Sequence, residues 1–184
     1  MEAIAKKVVQ RWTAKGYISE EEAEICQYNL ICFSFTLTVF CFLILAGTLL
    51  DECRNTVIWI TSLLFLRTYT NGYHCKSCVA CTILSLAVTL LSLHIIRLLN
   101  PVAAFGLMAI GSIVILVFAP ANSPQMHLSE DEIIAMRKRV HTRLLVLAVL
   151  FLLLMFFNRE AAYCIVMAIA VVATSLLAVQ YKVQ

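Results

Sequence analysis

The sequence feature that most constrains the fold is a nearly continuous apolar stretch from about Asn29 to Ala119, broken by one markedly polar segment, Arg67 to Ser77. Of the 184 residues, 62% are hydrophobic and only 14% are charged. A soluble domain of this size cannot bury so much apolar surface. The composition therefore excludes an ordinary soluble protein and predicts an all-α polytopic membrane protein.

Six segments are predicted to span the membrane. A hydrocarbon core of about 30 Å requires about 20 apolar residues per helix. The predicted spans are residues 25–50, 56–66, 78–96, 102–119, 144–157 and 161–179. The second contains only 11 residues, about 16 Å of helix. We therefore expect the polar segment that follows it to lie partly within the membrane thickness, in a cavity lined by protein.

The chain is expected to form a single integral-membrane domain over residues 1–184. Residues 1–18 place Ile4, Val8, Val9 and Trp12 on one helical face beside a basic series, which predicts an amphipathic interfacial helix rather than a cleavable signal peptide. Residues 19–184 then form the six-span bundle, with a cytoplasmic loop at 120–143. Ser19 with Glu22, and Ser129 with Glu132, have the spacing of capping boxes at helix starts.

The basic residues predict the orientation. With both termini in the cytoplasm, 11 of the 14 Lys and Arg residues lie on the cytoplasmic side, and only Arg54, Arg97 and Arg159 lie outside. An excess of Lys and Arg in cytoplasmic loops is the usual rule. The polar segment that contains His74 is then cytoplasmic as well.

That segment contains the pattern His74-Cys-x-x-Cys-x-x-Cys81. One interpretation of Cys75, Cys78 and Cys81 is a metal site, since Cys-x-x-Cys supplies two soft ligands. Another is membrane thiol redox chemistry, in which two of these cysteines would exchange a disulfide. A third interpretation is nucleophilic catalysis, in which His74 takes the thiol proton and the thiolate attacks a carbonyl. Thiols beside an imidazolium or at a helix amino terminus are the reactive ones.

Spacing alone leaves the nucleophile undecided between Cys78 and Cys81. On a continuous helix His74 meets Cys78 at i+4, whereas Cys81 lies about 10 Å further along the axis. Cys81 becomes accessible to His74 only if the chain bends between them. Asn71-Gly72 has the composition of a turn just before the histidine.

The run from Arg67 to Thr82 resembles the signature of the accessory gene regulator B family, in which an arginine, a glycine, a histidine and a cysteine recur at the spacing of Arg67, Gly72, His74 and Cys81. The resemblance extends to residues 118–124, to the acidic then basic helix that follows them, and to the six-span size. The chain departs from the family pattern at Asn71, where a second glycine is common, in the additional Cys75 and Cys78, and in a less lysine-rich loop.

The resemblance implies a membrane-embedded cysteine endopeptidase of the bacterial cell membrane that processes a quorum-sensing peptide precursor. Cys81 would be the nucleophile, and His74 the general base and later general acid. Gly72 would serve backbone geometry. Arg67 would bind precursor carboxylates or extend to the lipid headgroups, and Lys76 and the backbone amides near Ser77 would stabilise an oxyanion.

The same resemblance implies the partners. They are a short amphipathic precursor peptide as substrate, membrane lipids, and a second copy of the chain in a homodimer; no nucleic acid, metal or organic cofactor is expected. The basic face of Arg137, Lys138 and Arg139 is of the kind that anionic headgroups attract. The alternatives are a non-enzymatic peptide or solute transporter, for which intramembrane polar residues would suffice, and the thiol redox or metal protein.

Overall fold

The computed structural model describes residues 2–72, 78–121 and 129–183. All regular structure in these residues is α-helical, which confirms the predicted fold class. There are seven described helices: α1 (Glu2–Ala14), α2 (Glu20–Leu49), α3 (Cys53–Thr70), α4 (Cys78–Leu98), α5 (Pro101–Phe118), α6 (Glu130–Phe157) and α7 (Arg159–Val183).

The chain divides into two compact units, Met1–Leu43 and Ile44–Gln184. In the first unit, α1 buries Ala5 and Val9 while Ile4 remains exposed. Residues of α1 and of the first part of α2 line one shared groove. The predicted amino-terminal helix is therefore present, and its position at the membrane interface stays a prediction.

Both predicted capping boxes are present. The Ser19 backbone N–H donates to the Glu22 carboxylate at 3.0 Å, and the Glu22 N–H donates back to the Ser19 hydroxyl at 3.3 Å. Ser129 and Glu132 make the same reciprocal pair at the start of α6. Each pair satisfies amide donors that the first turn of a helix leaves without partners.

The second unit is built around α7. Residues 161–169 are all buried, and 61% of the most apolar stretch of α7 is buried against 22% in each of α4, α5 and α6. Small side chains such as Ala162 and Ala168, both fully buried, allow neighbouring helices to approach closely. The helices α3, α4, α5 and α6 all contact α7, so α7 is the core and the others present apolar surface outward.

Four described helices are long and apolar enough to cross a membrane: Ala80–Leu98, Pro101–Phe118, Glu130–Phe157 and Arg159–Tyr181. They overlap the third to sixth predicted spans, with bounds that differ by a few residues except that α6 begins far earlier, at its capping box. In α2 the described apolar part is the shorter Phe33–Leu49. The total of six spans stays a prediction.

The helix α3 is longer than the apolar pattern indicates. It runs for 18 residues through Thr70, so the first four residues of the polar segment are helical rather than irregular. The polar side chains there find partners: Thr68 donates to the Leu64 carbonyl oxygen at 2.7 Å, and Arg67 donates to Ser175 on α7. These bonds satisfy polar side chains that would otherwise be costly to place among apolar helices.

Candidate active site at the end of α3

The carboxyl end of α3 collects three of the residues that the sequence motif singles out. Arg67 lies in its last turn, half-buried, and its Nη1 donates to the Ser175 hydroxyl at 3.0 Å. Gly72 follows two residues after the helix ends. Cys81 lies in the first turns of α4 and is partly buried.

Gly72 has a backbone conformation that only glycine adopts readily, with φ of +143°. A Cβ placed on it would lie 2.5 Å from the Ser175 hydroxyl oxygen and 2.9 Å from Arg67 Nη1. Both distances are shorter than real Cβ contacts allow. The absence of a side chain at this position therefore lets the backbone pass directly over the Arg67 and Ser175 pair.

The turn before Gly72 is held by the segment that follows α5. The Ala121 N–H donates to the Thr70 carbonyl oxygen at 3.0 Å, and the Asn71 side-chain amide donates to the Ala121 carbonyl oxygen at 3.2 Å. Asn71 itself has φ of +55°, a left-handed conformation that asparagine tolerates better than most residues. Two successive residues with positive φ reverse the chain at the end of α3.

Cys81 and Arg67 are electrostatic neighbours. The Arg67 guanidinium and the Cys81 sulfur are close enough for a Coulomb interaction between them. Since α4 begins at Cys78, Cys81 also lies in the first turn of the helix, at the positive end of the helix dipole. Both a fixed cation and a helix amino terminus stabilise negative charge on a sulfur atom.

Four residues of the motif lie outside the described residues: His74, Cys75, Lys76 and Ser77. The predicted pairing of His74 with Cys81 therefore stays a prediction. The predicted roles of Lys76 and Ser77 also stay predictions. Within the described ranges, no group of three His, Cys, Asp or Glu side chains could hold a metal ion. The metal and redox interpretations depend on Cys75, which is among the four, and on Cys78, of which only the backbone is described.

The structure adds contacts that the sequence did not indicate. Ser175 is 108 residues from Arg67 in the chain, and Ala121 is 50 residues from Asn71. A serine in an apolar helix has no local signal beyond being a small polar residue of the kind that joins membrane helices. Arg143 makes a third such contact, since its Nη1 donates to the Phe65 carbonyl oxygen.

These features define a class: a polytopic helical membrane protein with a guanidinium at the end of one helix and, within electrostatic range of it, a thiol at the start of the next. The chain matches the family described as accessory gene regulator B over residues 1–177. It belongs to that family, and is a membrane protein of accessory gene regulation. No curated protein and no solved structure matches it.

Proposed function

We propose that this protein is a membrane-embedded cysteine endopeptidase that cleaves a small quorum-sensing peptide precursor and promotes its cyclisation. The observation that carries the proposal is the position of the Cys81 thiol, in the first turns of α4 and within electrostatic range of the Arg67 guanidinium. Family membership over nearly the whole chain supports the same chemistry.

The environment of Cys81 supports its role as the nucleophile. The hydrogen bond from Arg67 to Ser175 restricts the position of the guanidinium. Its positive charge therefore stays within electrostatic range of the Cys81 sulfur. A positioned charge stabilises an anion without reorganising during the reaction. The proposal requires His74 to approach Cys81, and the positive φ values of Asn71 and Gly72 end α3 just before it in the chain.

The proposed reaction is a two-step acyl transfer. His74 takes the Cys81 proton, and the thiolate attacks the carbonyl carbon of one peptide bond in the precursor. That C–N bond breaks, the carboxy-terminal tail leaves as an amine with the proton that His74 returns, and a thioester remains on Cys81. A cysteine or serine within the precursor then attacks the thioester, closing a thiolactone or lactone ring and regenerating the Cys81 thiol.

Exclusion of water decides between ring closure and hydrolysis. A thioester and a thiolactone are chemically alike, so thiolactone closure is nearly balanced in free energy, and keeping water away prevents the competing hydrolysis of the thioester. The site at the end of α3 suits this requirement because Leu66 and Thr70 are fully buried around it. An amphipathic precursor lying in the membrane surface would reach the site from the lipid side.

The proposed orientation puts this site on the cytoplasmic side. At the start of α3, Arg97 of α4 pairs with Glu52 at 2.6 Å, and Arg54 pairs with Glu160 of α7 at 2.9 Å. Two of the three arginines that the predicted orientation places on the external side are thus paired with carboxylates. In the same unit, four cations in the first half of α6 form no ion pair with a described residue: Arg137, Lys138, Arg139 and Arg143. Unpaired positive charge at the site end of α3 supports a cytoplasmic position for it.

A cleavage assay tests the proposal. The full chain would be reconstituted in lipid vesicles with a peptide encoded beside its own reading frame that contains an internal Cys or Ser. Cys81→Ala should lower cleavage by at least about 1,000-fold, as loss of a nucleophile does. Cys75→Ala and Cys78→Ala are the matched controls and should retain it. Dependence on Cys75 or Cys78 instead of Cys81 would support redox or metal chemistry.

A further inference from the structure

A cluster of basic residues on the first half of α6 lies against the end of α3. The proposed reaction does not use it. Within the Ile44–Gln184 unit, the end of α3 and the first half of α6 form a groove of about 430 Å³. Its lining residues are Tyr69, Ala135, Lys138, Arg139, Thr142 and Arg143. This volume is within the range of about 300–1,000 Å³ that is usual for small-ligand sites.

The groove is positively charged and has no carboxylate in its lining. The ion pairs among the described residues join Arg54 with Glu160 and Arg97 with Glu52, so they involve none of the three cations in the groove. The groove therefore lacks a partner of opposite charge from the protein in the part that is described.

Two of the cations are held in place by aromatic rings. The Arg143 guanidinium lies 4.1 Å from the Tyr69 ring centroid and 4.6 Å from that of Phe65, and Arg139 lies 5.2 Å from that of Tyr69. Arg143 also donates one N–H to the Phe65 carbonyl oxygen. A guanidinium has five N–H donors in a planar fork, so Arg143 keeps donors for a ligand while its position is restricted.

The depth of the groove in the membrane follows from the sequence of α6. Arg143 is the last charged residue before Leu144–Phe157, a stretch with no charged side chain. That stretch has 14 residues, about 21 Å of helix, which is shorter than a hydrocarbon core of about 30 Å. Arg143 therefore lies at the edge of the hydrocarbon core, and its long side chain extends to the level of the lipid headgroups. A tyrosine at this level is typical of the membrane interface.

We propose that this groove binds the phosphate of an anionic phospholipid headgroup. Arginine matches phosphate oxygens with paired N–H donors, and Lys138 adds a point charge. An acidic peptide could satisfy the same charges, but the position at the start of the hydrocarbon core and the aromatic wall favour a lipid. Tyr69 is two residues from Arg67 and three from Gly72, so a bound headgroup would hold the end of α3 next to the candidate active site.

Native mass spectrometry of the full chain in detergent tests this proposal. The probes are phosphatidylglycerol, phosphatidylcholine, inorganic phosphate and an Asp-rich peptide, each titrated separately. Phosphatidylglycerol should bind about tenfold or more tightly than phosphatidylcholine, and Arg139→Gln should remove about tenfold of that affinity, as loss of a charge-assisted hydrogen bond does. Arg137→Gln is the matched control, with the same charge change on the same helix outside the groove, and should cost less than about twofold.

A second variant guards against misfolding. Ala135→Glu removes no packing, since Ala135 is exposed, and adds a carboxylate to the groove; it should also weaken phosphatidylglycerol binding. Equal losses in Arg137→Gln and Arg139→Gln, or equal affinity for both lipids, would overturn the proposal. So would inorganic phosphate or the Asp-rich peptide binding in preference to the lipid. Repeating the titration with Cys81→Ala should give unchanged lipid binding, which separates this result from the proposed peptidase activity.

Discussion

Replacement of Gly72 by alanine should lower both the free energy of unfolding and the peptidase activity, because Gly72 is the glycine at the candidate active site and has no room for a side chain. The new Cβ would lie 2.5 Å from the Ser175 hydroxyl oxygen and 2.9 Å from Arg67 Nη1. The backbone φ of +143° costs a residue with a side chain about 1–3 kcal/mol. If the Arg67 to Ser175 hydrogen bond also breaks, a further loss of about 1.5–3 kcal/mol follows.

The assay is unfolding of the purified protein in mixed micelles by increasing sodium dodecyl sulfate, followed by far-ultraviolet circular dichroism. Gly106→Ala is the matched control, because a Cβ at Gly106 meets nothing within 4 Å. It should change the free energy of unfolding by less than about 1 kcal/mol. Peptide cleavage measured on the same samples should fall for Gly72→Ala and not for Gly106→Ala.

A double-mutant cycle separates the two causes. Ser175→Ala removes the nearest obstacle to the new Cβ, so Gly72→Ala combined with Ser175→Ala should destabilise by less than the sum of the two single changes. The positive φ remains in the double variant, so some loss should persist. Strict additivity, or a Gly72→Ala variant as stable as Gly106→Ala, would refute the argument from close approach.

Three further outcomes are expected. Arg67→Gln should lower the rate of peptide cleavage by about tenfold, whereas Arg67→Lys should retain most of the rate because it keeps a positive charge near the anion that forms in the reaction; equal rates in both variants would show that the charge does not contribute to the reaction. Gly47→Ala should destabilise by about 1–3 kcal/mol in the same unfolding titration, because its Cβ would overlap the Thr56 side chain; an unchanged midpoint would show that α2 and α3 are not in close contact there. Hydrogen bonds from the backbone N–H and then the hydroxyl of Ser19 lower the pKa of Glu22, so the start of α2 should be stable above the ordinary glutamate pKa of about 4.3 and fray as the pH falls through the lowered value. Amide hydrogen exchange should show that fraying in the wild type and much less pH dependence in Glu22→Gln.

Hydropathy predicts most of the helices in this chain because lipid requires long apolar runs with internally bonded backbones. The four helices that are long and apolar enough to cross a membrane are of that kind, and α5 and α6 begin where Asn100-Pro101 and Ser129 provide caps. The extension of α3 through Arg67 to Thr70 was not predictable in this way. Its stability depends on Ser175 of α7 and on the backbone of Ala121, which come from distant parts of the sequence.

The candidate site was only partly predictable. The resemblance to the family signature indicated Arg67, Gly72 and Cys81, whereas spacing alone left Cys78 and Cys81 open as nucleophiles. It did not indicate Ser175, because hydrophobic periodicity treats one serine in α7 as an ordinary small residue. It also did not predict that Arg139 and Arg143 lie over Tyr69, since a basic helix face looks the same in sequence whether or not an aromatic ring covers it.

The central claim is that the Cys81 sulfur carries the acyl group of the precursor. The direct measurement is to mix the reconstituted chain with its precursor peptide, stop the reaction in acid within one turnover, and map the adduct by mass spectrometry. The peptide that contains Cys81 should increase in mass by the amino-terminal part of the precursor. Hydroxylamine should remove this adduct, and Cys81→Ser should not form it. Cleavage that proceeds with no such adduct, or with the adduct on Cys75 or Cys78, would contradict it.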